Sequence, residues 1–63
     1  MTEEQVSKLF AYAHLPPHLQ EISQPYHQMA MQLQDRFPSA EGTLAIRKLW
    51  EAKNLVVWCG ANQ

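Results

Sequence analysis

Prolines at positions 16, 17 and 38 restrict this chain more than any other feature, because they cut a helical pattern into three stretches. The residue ahead of a proline is pushed out of the α region, so a helix ends before each of these points. In the first stretch Thr2 and Gln5 form a capping box, and Val6, Leu9, Phe10 and Ala13 recur at helical spacing. A short first helix is expected over about residues 3 to 12. Pro17 suits the first turn of the next helix, where its missing N–H costs nothing. From there Leu19, Ile22, Tyr26, Met29, Leu33 and Phe37 keep one apolar stripe in phase. The phase survives Pro25, so one long helix kinked at Pro25 is expected, with two helices broken there as the alternative. Such a proline frees the Glu21 carbonyl and costs about 3 kcal/mol unless packing offsets it. After Pro38, Ser39 is placed to cap a last helix over about Ala40 to Cys59, with Glu41 in its first turn.

The short connection at 38–39 folds the two long helices back as an antiparallel hairpin, giving an all-α fold in one helical-hairpin domain spanning 1–63. Ala45, Leu49, Ala52, Val56 and Cys59, spaced four, three, four and three, read as the seam against the second helix. Ile46, Trp50 and Val57 form a second apolar stripe beside it, and Leu44, Leu55 and Trp58 a third. Only a strip near Arg47 and Asn54 is consistently polar. A helix apolar nearly all round must be buried nearly all round, and one neighbour in a chain of 63 residues cannot do that. Chains this short need a further staple, and with Cys59 as the only cysteine it cannot be an internal disulfide. The surplus faces are therefore expected to be subunit interfaces in a symmetric homo-oligomer.

Several function classes fall away. The longest apolar run, Leu55 to Cys59, is far short of the roughly 20 residues of a membrane span. Thr2, Glu3, Glu4 and Gln5 after Met1 have the wrong charge and polarity for a signal peptide, which points to an intracellular setting and a reduced Cys59. Five basic residues against six acidic ones give no broad positive field for duplex nucleic acid. His14 and His18 are four apart, but Pro16 and Pro17 stand between them and no third ligand completes a metal site. Cys59 reads as a buried small hydrophobe on the seam, not a nucleophile. With no phosphate loop, nucleophile elbow or partnered carboxylate pair, no enzyme, cofactor or metal is expected.

What remains suits binding. Tyr12, Tyr26, Trp50 and Trp58 offer faces on which a nucleobase stacks for roughly 1 to 3 kcal/mol, although the tryptophans suit interface packing better. Arg47, Lys48 and Lys53 cluster on the last helix, where such residues ordinarily form a solvated face. In a symmetric oligomer they can converge from neighbouring copies on phosphates. Ser39 and Thr43, with the amides of the last helix's first turn, form a further candidate anion site.

Phe10-Ala-Tyr12, His14-Leu-Pro-Pro, Met29-Ala30, Phe37-Pro38-Ser39-Ala-Glu41 and Leu44-Ala-Ile-Arg-Lys-Leu-Trp-Glu-Ala52 follow one another in a characteristic order. Over about residues 10 to 60 the chain resembles the phage hairpin family of anti-CBASS and anti-Thoeris nucleotide sponges. The most specific piece is the Pro-Ser-x-Glu turn followed at fixed distance by Ala-x-x-Lys-Leu-x-Glu-Ala. The resemblance implies helical protomers in a symmetric oligomer, often a hexamer, that hold a cyclic oligonucleotide or cyclic ADP-ribose derivative intact in the cytoplasm of an infected bacterium. It puts Tyr12 on the Phe-x-Tyr motif, where a ring stacks on a base, and Ser39, Thr43 and Lys48 on the turn and last-helix positions. The chain departs from the family at Ala40 and Gly42, where arginines are usual, and at Gln24, Pro25 and His27, where a lysine or two is usual. Arg47 and His27 then substitute as cations, or the ligand differs from the usual cyclic nucleotides. The expected ligand-binding set is Tyr12, Tyr26, His27, Ser39, Thr43, Arg47 and Lys48. The alternative is a small helical interaction module that inhibits a host protein through its tryptophan stripe.

Overall fold

Every helix of the chain begins where a side chain or a proline can start one. A computed structural model describing residues 1–63 contains α1 (Glu3–Leu9), α2 (Pro17–Arg36) and α3 (Ala40–Ala61), and no strand. At α1 the capping box closes in both directions: the Gln5 amide donates to Thr2 Oγ1 at 3.1 Å, and the Thr2 amide donates to Gln5 Oε1 at 2.9 Å. Pro17 opens α2, and Ser39 caps α3 by accepting from the Gly42 amide at 3.1 Å. No helix is long and apolar enough to cross a membrane.

Two boundaries differ from expectation. α1 stops at Leu9 and not near residue 12: the Phe10 amide still donates to the Val6 carbonyl at 3.1 Å, but the Ala11 amide donates to the Lys8 carbonyl three residues back at 3.3 Å, a tightened last turn that ends the helix. α3 continues two residues past Cys59 to Ala61. α2 passes through Pro25 as one helix, which excludes the two-helix alternative. Glu21 and Pro25 are both exposed, so water can satisfy the carbonyl that the proline leaves without a donor.

Val6 and Phe10 from α1, Ala30 from α2 and Ile46 from α3 form the buried cluster, flanked by Met1, Leu9, Tyr26, Met31, Leu33 and Leu49. α3 lies along α2 with opposite ends adjacent. Near the end of α3 a Cβ on Gly60 would stand 2.7 Å from Ile22 Cδ1 and 3.0 Å from Leu19 Cδ2, both near the start of α2. At the start of α3 a Cβ on Gly42 would overlap the carbonyl oxygen of Phe37, just past the end of α2. Only glycine fits there, because the obstacle is backbone and cannot step aside.

The seam of α3 is rotated from the expected one. Gly42, Ile46 and Lys53 are buried, with Leu49, Val56, Val57 and Gly60 half-buried beside them, whereas Ala45 and Cys59 are exposed. Cys59 is therefore not a seam residue. Ile46 and Val57, expected on a surplus stripe, pack within the chain. The third stripe lies off the intrachain seam, with Leu44 56%, Leu55 67% and Trp58 65% exposed, while Trp50 stands at the margin with 37%.

Candidate functional site

Tyr12 lies in the turn that α1 and the Pro-Pro pair leave between them, and local hydrogen bonds fix that turn. The Leu15 amide donates to the Tyr12 carbonyl at 3.0 Å. The Gln20 side chain, one turn into α2, donates to the carbonyls of Leu15 at 2.7 Å and Ala13 at 3.2 Å. The ring of Tyr12 then meets His27 of α2 edge to face, with centroids 5.5 Å apart and planes at 74°. Ser7 of α1 stands over the same imidazole, its Oγ 3.5 Å from Nε2. Ser7, Ala11, Tyr12, Ala13 and His27 line an open groove of about 310 Å³, whose small side chains leave one flank of the aromatic pair accessible.

A second groove, of about 380 Å³, is lined by Met1, Gln5, Lys8, Leu9 and Arg47. It shares no residue with the first. Arg47 makes no salt bridge, and Lys8 makes only an exposed one, 3.5 Å from Glu4. Exposed pairs of this kind hold weakly, so both cations remain available to an anion. Lys8 is absent from the residues expected from the sequence. Nothing in the sequence pattern links Lys8 to the basic residues of α3, and only the docking of α1 brings it to Arg47.

The remaining candidates stand apart from both grooves. Tyr26 is half-buried against the core cluster and borders a shallow groove of about 260 Å³ with Pro25 and Met29. Ser39 spends its hydroxyl on capping Gly42, and the Thr43 amide donates to the Ser39 carbonyl at 2.9 Å, so much of this helix terminus is already satisfied. Lys48 is exposed and 4.0 Å from Glu51 one turn on. Lys53, expected with the basic cluster on a solvated face, is only 8% exposed and makes no salt bridge. Within one chain Tyr12 and His27 share a groove that none of Tyr26, Ser39, Thr43, Arg47 and Lys48 lines. His14 and His18 are exposed, and nowhere do three His, Cys, Asp or Glu side chains converge at metal-binding distance.

Comparison of the chain with family models, curated proteins and solved structures gives no match.

Proposed function

We propose that this chain is a phage anti-defence protein, active in the cytoplasm of the infected bacterium, that sequesters a nucleotide immune second messenger without cleaving it. Its working form is a symmetric homo-oligomer of helical hairpins, of which a hexamer is the form that the family resemblance suggests. The observation that carries the reading is the Tyr12–His27 pair beside an open groove of about 310 Å³. An aromatic ring held by a hydrogen-bonded turn is a ready platform for a base, worth roughly 1 to 3 kcal/mol. The Lys8–Arg47 groove supplies the complementary chemistry, two cations that can neutralise phosphate. Both grooves are shallow in one protomer, and a small ligand ordinarily buries most of its surface. A neighbouring copy that lays its cationic groove against this aromatic one would complete an enclosure.

Purified protein incubated with cyclic dinucleotides, cyclic trinucleotides and cyclic ADP-ribose derivatives, then denatured, is expected to release one of them intact. Recovery of none overturns the proposal, and recovery of a cleaved product converts it to an enzyme. Tyr12→Ala is expected to weaken binding by about 5- to 150-fold, the equivalent of one lost stack, while leaving the mass of the assembly unchanged. Equal affinity in that variant would remove Tyr12 from the site. The exposure of Leu55 and Trp58 also favours a second reading, docking on a host protein. A single stoichiometric protein partner, captured with no nucleotide bound, would select it.

A further inference from the structure

The face of α3 turned away from α2 carries Leu44, Lys48, Glu51, Leu55 and Trp58, with successive spacings of four, three, four and three. This is the a/d repeat of a helix that packs on another helix, and all five side chains are exposed. Its centre is unusual, since an ion pair, Lys48 to Glu51 at 4.0 Å, sits between two leucines where an unbroken apolar seam would be expected. The order of residues is self-complementary on reversal. Numbered from a point midway between 48 and 51, Leu44 and Leu55 are equidistant, as are Lys48 and Glu51, with chemistry that matches in each case.

We infer that this face is a two-fold, antiparallel contact between α3 and the α3 of a second copy of this chain. In that register Leu44 packs on the partner's Leu55, Lys48 faces the partner's Glu51, and Trp58 falls over the partner's Glu41. The two-fold axis repeats each contact, so one Leu–Leu layer and one Lys–Glu layer become two of each. A parallel arrangement would place Lys48 on Lys48 and Glu51 on Glu51, which like-charge repulsion opposes. The charges thus select both the partner and its direction, while the leucines and Trp58 supply the apolar area. A foreign protein has no reason to mirror this sequence about its midpoint; a second copy does so necessarily. The inference rests on the self-assembly in the proposed function and adds the interface and its register.

The test uses full-length Lys48→Glu and Glu51→Lys, each alone and mixed, in the absence of nucleotide. Lys48 and Glu51 side chains are 70% and 62% exposed, so neither change disturbs the fold of the protomer, which circular dichroism verifies. Each variant alone places like charges in both central layers and is expected to raise the self-dissociation constant about tenfold or more at low salt. An equimolar mixture restores two opposite-charge pairs between unlike chains and returns the constant to near the wild-type value. The pair within each helix stays broken in both chains, so this recovery reads only the contact between copies. Variants that associate as tightly as wild type, or a mixture that fails to recover, overturn this interface while leaving self-assembly standing. A wild-type chain that stays monomeric at high concentration overturns the interface and the assembly together.

Discussion

Ser23 is fully buried in α2, and its hydroxyl has no hydrogen-bond partner. An orphaned hydroxyl in the interior costs about 1 to 3 kcal/mol relative to its solvated state. Ser23→Ala removes that cost and favours the helix by a few tenths of a kcal/mol more. Urea denaturation is expected to show the variant more stable by about 1 kcal/mol, with an unchanged slope. A destabilised variant would mean that the hydroxyl makes a contact worth more than its burial costs. Gly42 is the opposite case, a residue whose absent side chain is essential. The Phe37 carbonyl occupies the space that any Cβ would need. Any side chain at 42 therefore requires the backbone of the α2–α3 turn to move.

At the scale of elements, all three helix starts and the stop at Pro38 are legible in the sequence, whereas the ends of α1 and α3 and the rotation of α3 are not. Caps and prolines act within a few residues, so Thr2, Pro17, Ser39 and Pro38 announce helix ends whatever else surrounds them. The phase of α3 is a tertiary property. Apolar residues lie on most of its sides, so hydrophobic spacing alone fits several seams equally well, and a one-residue error turns the helix by about 100°. The residues that define the true seam include Gly42, Lys53 and Gly60, types that carry no apolar signal in the sequence. The candidate site follows the same division. The turn that holds Tyr12 is set by the neighbouring Pro-Pro pair, but its partnership with His27 and the approach of Lys8 to Arg47 depend on how α1 docks. Lys53 offers a test of the rotated seam. It is 8% exposed and makes no salt bridge, an arrangement in which the charge adds nothing to cohesion. Lys53→Met keeps the length and removes the charge, and is expected to raise the unfolding free energy by about 1 kcal/mol in chemical denaturation. On an exposed face the same change would leave stability within about 0.5 kcal/mol of wild type.

The molecule as a whole is elongated, 36 × 18 × 14 Å, with only eight residues buried. Its accessible surface is 4476 Å², against about 4,200 Å² for a compact monomer of its mass. Leu44, Leu55, Trp58, Phe37 and Met29 account for large apolar areas on that surface, each more than half exposed. A protomer of this kind folds with little to spare, so the proposed assembly would supply part of its stability by mass action. Thermal unfolding then depends on concentration. For two-fold association of a chain this size, Tm is expected to rise by about 5 °C for each tenfold increase in protein, read by circular dichroism. Two substitutions separate folding from assembly. Val57 is half-buried inside the chain, so Val57→Ala should lower Tm at every concentration and leave its concentration dependence intact. Leu55 projects from the outer face, so Leu55→Ala should leave the dilute protein nearly unchanged while flattening the dependence on concentration. A wild-type Tm that does not move with concentration would show that each protomer is stable alone, and that its outer face serves no partner copy.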